Sequence, residues 1–295
     1  MKYSVDMTAC SLRRPVLSAI AAVAVLAAAP RAASDKTIFV SALDDNNAPV
    51  KGMTTADFRL REDGVDREIN EVKPATQPLQ VVLLADTTSA VQEILQDLRK
   101  ALTAFVRQAF AVAPDAQIKI MEFGQAAVTV APYATSADDL EKAINRLVGK
   151  PNAQSVLLEA LISGSNDLAK RPSRRRAIVS VNIEPNDEQS REEPRKIQES
   201  LQKSGAQFWA VSYQKGPLKN PQRDLVLNAL TRSTGGQREF IVGVSAIETM
   251  LKRYADALTT QYEVTYKRPE GKAQVVQVGT VRQGVKLYAS GFAPQ

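Results

Sequence analysis

The spacing of apolar positions changes at residue 79 of the chain. Residues 79–86 read LQVVLLAD, an almost continuous apolar run that predicts a strand buried on both faces. Residues 91–112 carry apolar side chains at helical spacing, at Val91, Ile94, Leu95, Leu98, Leu102, Phe105 and Phe110. A buried strand followed by an amphipathic helix is the repeating unit of a parallel sheet.

The alternation of strands and helices continues to residue 258. Further strands are predicted over residues 117–122, 126–131, 177–182, 206–213 and 240–242, and further helices over 136–147, 155–169, 189–203, 221–233 and 245–258. This order predicts an α/β fold, with a doubly wound, mostly parallel central sheet and helices on both faces.

Both ends of the folded part have shorter, strand-like segments. Strands are predicted over residues 37–43, 58–62 and 65–72, the last two joined as a hairpin by the turn at Asp63-Gly64. A polar linker is predicted over residues 74–78. The tail, residues 261–292, predicts more strands, which either extend a sheet edge or pair with the N-terminal β element.

The first 34 residues have the pattern of an export signal. Lys2, Arg13 and Arg14 precede an apolar run over residues 16–29, and small residues follow at 32–34. Because a bilayer core of about 30 Å needs about 20 apolar residues, this run is short for a membrane span. We predict a cleaved signal peptide and export to the periplasm or the exterior, with membrane contact only through this signal; a retained N-terminal anchor is the alternative.

These patterns divide the chain into four parts. Residues 1–34 are the predicted signal peptide, and residues 35–78 are the N-terminal β element and linker. Residues 79–260 are the α/β domain, and residues 261–295 are a C-terminal β extension.

Charge and composition narrow the class of partner. The chain has 295 residues, 44% of them hydrophobic and 24% charged, as expected of a globular protein. Its formal net charge is +6, but only +3 without residues 1–34, a modest excess that does not indicate a nucleic-acid partner. The basic cluster Lys170, Arg171, Arg174, Arg175 and Arg176 lies between a predicted helix and a predicted strand, and we interpret it as a solvated loop.

Cysteine and histidine usage excludes several kinds of catalysis. Cys10, in the predicted signal peptide, is the only cysteine, and the chain contains no histidine. The exported part therefore forms no disulfide, no Ser-His-Asp triad, no Cys-His pair and no zinc site of cysteine and histidine ligands. Carboxylate, lysine and hydroxyl catalysis stay open, but the protein is predicted not to be an enzyme.

Six segments, in their order along the chain, carry a resemblance. They are residues 48–64 (APVKGMTTADFRLREDG), 81–90 (VVLLADTTSA), 174–182 (RRRAIVSVN), 201–213 (LQKSGAQFWAVSY), 230–236 (LTRSTGG), and the ending with QYEVTYKRPEGK and GVKLYASGF. The chain from residue 35 onward resembles the secreted bacterial VWFA-related proteins. This resemblance implies a von Willebrand factor A fold, with ligand and metal at the carboxyl ends of the central strands.

Physical reasoning indicates the same edge of the sheet. In a doubly wound sheet, the loops that leave the strands beside the reversal of strand order converge with helix N-termini, which favour anionic groups. In this chain those loops are predicted to begin at Asp86 and near Asn182.

The resemblance also implies a metal-ion-dependent adhesion site, built from a DxSxS loop, a later threonine and a later aspartate. Asp86 matches the first position of the loop and Thr88 keeps a hydroxyl, but Ala90 has lost one. Ser155 corresponds to the threonine, and Ile183 stands where the aspartate is expected. An isoleucine side chain cannot bind a hard cation.

The expected site is therefore a degenerate one, formed by Asp86, Thr88 and Ser155. Weak or no cation binding is predicted, and no cofactor is expected; Mg²⁺ and Ca²⁺ are the candidate ions because they prefer oxygen ligands. Glu184 or Asp187 could supply the missing carboxylate if the loop is shifted. Alternatively, the polar residues only cap the helices that follow them.

We conclude from the sequence that the chain is an exported, non-enzymatic module that binds a protein partner not identified by the sequence. One alternative is a structural envelope protein whose β additions mediate assembly. Another is a metal-activated enzyme subunit that uses Asp86 with Glu184 or Asp187. The oligomeric state stays open.

Overall fold

The computed structural model describes Met1 and residues 33–184, 186–216, 221–269 and 271–294. Apart from Met1 and residues 33–34, the predicted signal peptide lies outside the described residues. None of the helices in the described part of the chain is long and apolar enough to cross a bilayer.

The described residues form thirteen strands and six α-helices. The strands are β1 (Ser34–Asp44), β2 (Phe58–Glu62), β3 (Val65–Asp66), β4 (Ile69–Pro74), β5 (Gln80–Ala85), β6 (Gln117–Glu122), β7 (Val128–Ala134), β8 (Arg176–Glu184), β9 (Gln207–Gln214), β10 (Arg238–Ile241), β11 (Tyr262–Arg268), β12 (Val276–Thr280) and β13 (Val285–Ala289). The helices are α1 (Leu95–Val112), α2 (Ala137–Ile144), α3 (Leu157–Ala169), α4 (Pro194–Ser204), α5 (Pro221–Thr234) and α6 (Ala246–Thr259).

The central sheet has the order β10-β9-β8-β5-β6-β7. All neighbouring strands are parallel except β6 and β7, which pair antiparallel. The predicted α/β fold with a mostly parallel sheet is confirmed. The antiparallel strand β7 lies at the edge of the sheet, a common arrangement in otherwise parallel sheets.

Alternate residues of the central strands face two separate cores. Val81 and Leu83 of β5 belong to a core that also contains Leu98 of α1 and Leu251 of α6. Val82 and Leu84 of β5 face the opposite core, together with Leu161 of α3, Leu201 of α4 and Leu227 of α5. Because side chains alternate along a strand, Asp86 at the end of β5 continues the row of Val82 and Leu84 toward α3, α4 and α5.

The terminal β segments pair with each other, which decides between the two arrangements predicted for the tail. One sheet has the order β13-β1-β11-β4, and a second has the order β12-β2-β3. Strand β1 begins at Ser34, inside the predicted leader, where Ser34 pairs with Arg268. Backbone hydrogen bonds therefore join the N-terminal strands to the C-terminal strands.

The hairpin predicted over residues 58–72 is only partly correct. Strand β3 pairs with β2 around the Asp63-Gly64 turn, but it ends at Asp66. Strand β4 pairs instead with β11 in the other sheet. Ile69 and Val72 of β4 pack against the core of that sheet, and this burial of apolar surface separates β4 from the hairpin. Pro74, expected in the linker, is the last residue of β4.

Two predicted helices begin later than expected, and both differences shape the candidate site. Residues Ser89–Ile94 form a 3-10 helix, so α1 begins only at Leu95. Helix α4 begins at Pro194 rather than at residue 189, since proline suits the first turn of a helix. The preceding segment is bound to the chain at Ser155, whose N–H donates to the carbonyl of Asp187 and whose carbonyl accepts the N–H of Gln189.

The basic cluster is not the solvated loop that we expected. Arg174 is exposed, but Arg175 is buried and Arg176 is half-buried at the start of β8. The Arg175 guanidinium donates to the carbonyls of Ala75, Gln77, Leu258 and Thr259 and to the side chain of Gln261. Burial of this charge is compensated by these five hydrogen bonds.

Candidate functional site

Asp86 lies directly after β5 and is completely buried. Its Oδ1 accepts hydrogen bonds from the backbone N–H of Thr88 at 2.9 Å and from the Thr88 hydroxyl at 2.6 Å. Its Oδ2 accepts the backbone N–H of Ile183 at 2.9 Å. Burial raises the pKa of Asp86, and the hydrogen bonds from Thr88 and Ile183 oppose that rise. Both carboxylate oxygens thus bind donors of the protein itself.

Thr88 is held in the same way. Its hydroxyl donates to Asp86 and accepts a hydrogen bond from Nδ2 of Asn186 at 2.8 Å. Thr88 and Asn186 are both buried. The Thr88 hydroxyl therefore uses its proton and one of its two acceptor positions for contacts inside the protein.

Ser155, the third predicted ligand, is also buried but binds other partners. Its hydroxyl donates to Oε2 of Glu188 at 2.8 Å and accepts the backbone N–H of Leu157, the first residue of α3, at 3.3 Å. In the described residues, no hydrogen bond joins Ser155 to Asp86 or Thr88. The Ser155 hydroxyl thus accepts the first N–H of α3, but the N-cap residue of this helix is Val156, which makes no side-chain cap hydrogen bond.

The two residues considered as substitute ligands lie in different environments. Strand β8 does not end at Asn182 as predicted but continues to Glu184, whose side chain is buried. Asp187 is exposed, and its main-chain carbonyl binds Ser155. Ile183 directs its side chain into the core beside α1 and α6, so this residue contributes only its N–H to Asp86.

A buried arginine supplies positive charge to this region. Nη2 of Arg223, on α5, forms an ion pair with Oε1 of Glu184, and Nη1 lies 3.6 Å from Oε2 of Glu188. The side chains of all three residues are no more than 4% exposed. Burial raises the pKa of Glu184 and of Glu188, and the charge of Arg223 opposes the rise in both. Arg223 also lowers the pKa of Asp86, although less than its hydrogen bonds do.

The carboxylates at the ends of β5 and β8 are already hydrogen-bonded or ion-paired within the protein. Asp86 accepts hydrogen bonds from three donors of the protein, and Glu184 is paired with Arg223. Among the residues that the structure describes, no group of three or more Asp, Glu, His or Cys side chains is arranged to hold a metal. The positive charge beside these carboxylates comes from a guanidinium of the chain.

Sequence reasoning missed Asn186, Glu188 and Arg223. The acidic run that contains Glu188 is visible in the sequence, but the run does not show which of its side chains turns toward Arg223. Arg223 is 39 residues from its partner Glu184 and has no neighbouring motif that marks it. Only the packing of α5 against β9 and β10 brings it to the site.

Replacing Asp86 with asparagine is expected to lower the free energy of unfolding by about 1–3 kcal/mol, because one amide nitrogen must then face a buried N–H or hydroxyl donor. Thermal or denaturant unfolding of the variant checks this. Asp97→Asn is the matched control: Asp97 is an exposed carboxylate on α1, and its replacement should change stability by less than about 0.5 kcal/mol. Equal stability of the two variants would mean that the Asp86 hydrogen bonds contribute little.

Comparison with known proteins identifies the class to which this architecture belongs. The von Willebrand factor type A domain family matches residues 80–253, more than half of the chain. The chain therefore belongs to the von Willebrand factor type A family. The matched segment begins with β5 and ends within α6, so it coincides with the central sheet and its helices.

Solved structures show the same fold at low sequence identity. Proximal thread matrix protein 1 from the mussel byssus is 16% identical, with a TM-score of 0.53 over 64% of this chain and 49% of that protein. A von Willebrand factor type A protein from Catenulispora acidiphila is 10% identical, with a TM-score of 0.51 over 84% of this chain and 76% of that protein. This chain thus spans about half the length of the mussel protein. No curated protein matches the chain by sequence.

Proposed function

We propose that this chain is an exported, non-enzymatic module that binds a protein partner without a metal ion. Von Willebrand factor type A domains are generally interaction modules, and the family match supports an interaction role here. The observation that carries the proposal of metal independence is the internal hydrogen bonding of the buried Asp86 carboxylate. Its two oxygens accept three hydrogen bonds, from Thr88 and Ile183.

The charge balance at the strand ends supports the same proposal. In a metal-dependent site, a divalent cation neutralises the converging carboxylates and offers an open coordination position to the partner. Here the Arg223 guanidinium pairs with Glu184 and Glu188 in an almost fully buried position. An internal ion pair of this kind neutralises charge but has no open coordination position, so the partner must be bound by other groups.

The exposed rim above the buried site offers such groups. Ser89 and Gln189 are exposed, and each is fixed by a main-chain hydrogen bond: Ser89 N–H to the carbonyl of Ala153, and Gln189 N–H to the carbonyl of Ser155. Loops held in this way by a rigid scaffold are common positions for binding residues. We place the partner surface on this rim, at the carboxyl edge of the central sheet.

A cation titration tests metal independence. The melting temperature of the protein in about 5 mM Mg²⁺, Ca²⁺ or Mn²⁺ is expected to equal that in chelator within about 1 °C, because an ion that does not bind the folded state cannot stabilise it. An ion with a Kd of about 50 μM would instead add about 2.7 kcal/mol to the free energy of unfolding at this concentration. A rise of several degrees in the parent protein that is lost in Asp86→Ala would contradict the proposal.

Site-specific photo-crosslinking tests the partner surface. The full-length chain carries a benzophenone amino acid at Gln189 on the rim, or, as control, at Arg253, an exposed residue of α6. We expect a discrete adduct from Gln189 in the producing cells, absent from Arg253 and unchanged by chelator. An adduct lost in chelator would contradict metal independence, and no adduct from Gln189 would contradict the position of the surface.

The same experiment separates binding from assembly. An adduct between two copies of this chain would favour the alternative of a structural envelope protein. An adduct with a different protein supports the binding module.

A further inference from the structure

A cavity of about 250 Å³ opens at the amino-terminal edge of the central sheet. It lies where β8 and β9 begin, beside the C-terminal end of α4, and strand β1 and the C-terminal segment close its other side. Arg176 and Glu184 mark the two ends of β8, which are separated by roughly 26 Å at about 3.3 Å per residue. The cavity is therefore remote from the Asp86 site.

One side of the cavity is strongly basic. Arg174, Arg176 and Lys203 line it, and no aspartate or glutamate is among its lining residues. In the described part of the chain, neither Arg174 nor Lys203 forms an ion pair with its side chain. Because these charges lack a carboxylate partner, the cavity has a positive potential that favours an anion.

Arg176 differs from the other two cations because it is fixed. Its Nε and Nη1 donate to the carbonyls of Ser173 and Ser204, each at 2.7 Å, and its Nη2 donates to the carbonyl of Arg171. Carbonyl oxygens orient the guanidinium but leave its positive charge unneutralised. Burial lowers the pKa of Arg176, and the charge of Arg174 lowers it further. The cavity thus has one rigid cation and two exposed ones at its rim.

The other side of the cavity is apolar. Phe39 of β1 lines it, and Phe292 from the C-terminal segment completes this wall, whereas the side chain of the neighbouring Ile38 belongs to the core on the opposite face of β1. Phe39 and Phe292 are only partly buried, so some of their apolar surface is accessible to a ligand. A pocket with an apolar wall and a few convergent charged groups is the usual arrangement of a small-molecule site.

We propose that this cavity binds a small organic anion, with its carboxylate or phosphate group at Arg174, Arg176 and Lys203 and its aliphatic or aromatic body against Phe39 and Phe292. The volume is somewhat below the usual range for drug-sized ligands, so the ligand is small. The inference is independent of the proposed partner surface, because no residue is shared between the two sites.

A calorimetric titration with 4-phenylbutyrate tests the site, and the uncharged 4-phenylbutyramide is the matched control ligand. The double variant Arg174→Gln/Lys203→Gln removes the two exposed cations and leaves Arg176 in its structural hydrogen bonds. The control double variant Lys142→Gln/Arg146→Gln removes the same charge from exposed positions on and just after α2. Circular dichroism confirms that both variants are folded.

We expect the parent protein and the α2 control variant to bind the carboxylate with the same affinity. The Arg174/Lys203 variant is expected to bind it at least about tenfold more weakly, and the amide should bind the parent at least about tenfold more weakly than the carboxylate does. Equal binding of carboxylate and amide, or equal loss in both double variants, would overturn the proposal. Competition by inorganic phosphate at the same concentration as phenylbutyrate would overturn the role of the apolar wall.

Discussion

Replacing Arg223 with methionine is expected to lower the free energy of unfolding by about 3–5 kcal/mol, the usual cost of removing one partner from a buried ion pair. The reason is that Glu184 and Glu188, whose side chains are no more than 4% exposed, would keep their burial and lose their positive partner. Denaturant unfolding of the parent and the variant measures the difference. Arg195→Met is the control, because Arg195 forms only an exposed pair with Glu199, worth less than about 1 kcal/mol.

The effect of Arg223→Met should depend on pH in a defined direction. Burial raises the pKa of Glu184 and of Glu188 in the folded state, and Arg223 opposes this rise. A carboxyl group with a raised folded-state pKa contributes stability below its unfolded pKa and loses it as the pH rises through the folded value. Without Arg223 both pKa values rise further, so the stability deficit should be smaller at about pH 5 than at about pH 8.

A rescue experiment distinguishes lost charge from lost packing. Adding Glu184→Gln and Glu188→Gln to Arg223→Met removes the two unpaired charges and should recover about half or more of the lost stability. If the deficit persists in the triple variant, or does not change with pH, the packing of the arginine stem rather than its charge explains the loss.

Arg175→Met is expected to have the second largest effect, a loss of about 3 kcal/mol or more, because several buried carbonyls lose a charged donor at once. The Arg175 guanidinium joins the linker at Ala75 and Gln77 to the end of α6 at Leu258 and Thr259. Burial lowers the pKa of Arg175 to about 10, so the residue is still charged at neutral pH. Thermal unfolding measures the loss.

The neighbouring residue provides the control for Arg175. Arg174→Met changes the same residue type one position away, where the side chain is exposed, and should alter stability by less than about 0.5 kcal/mol. If Arg175→Met were as stable as Arg174→Met, the hydrogen bonds of Arg175 to the linker and α6 would not contribute to the stability of the fold.

The central domain could be predicted from the sequence because its signals are local. The apolar run before Asp86 and the helical spacing after Val91 each specify an element within about 20 residues. The resulting α/β order agrees with the sheet of six strands and its two cores. The terminal segments were predicted as strands for the same reason, but their partners were not. Pairing of Ser34 with Arg268 or of Val276 with Glu62 depends on contacts across more than 200 residues.

The candidate site shows the same division. The sequence by itself determined where Asp86, Thr88 and Ser155 lie relative to the strands and helices, and it indicated that Ala90 and Ile183 cannot act as ligands. Only the tertiary structure showed that Asp86 accepts the N–H of Ile183, 97 residues away, and that Arg223 pairs with Glu184. Every residue except proline carries a backbone N–H, so the side-chain sequence does not mark this donor. The position of Arg223 is decided by how α5 packs on the sheet, a long-range arrangement that no local pattern specifies.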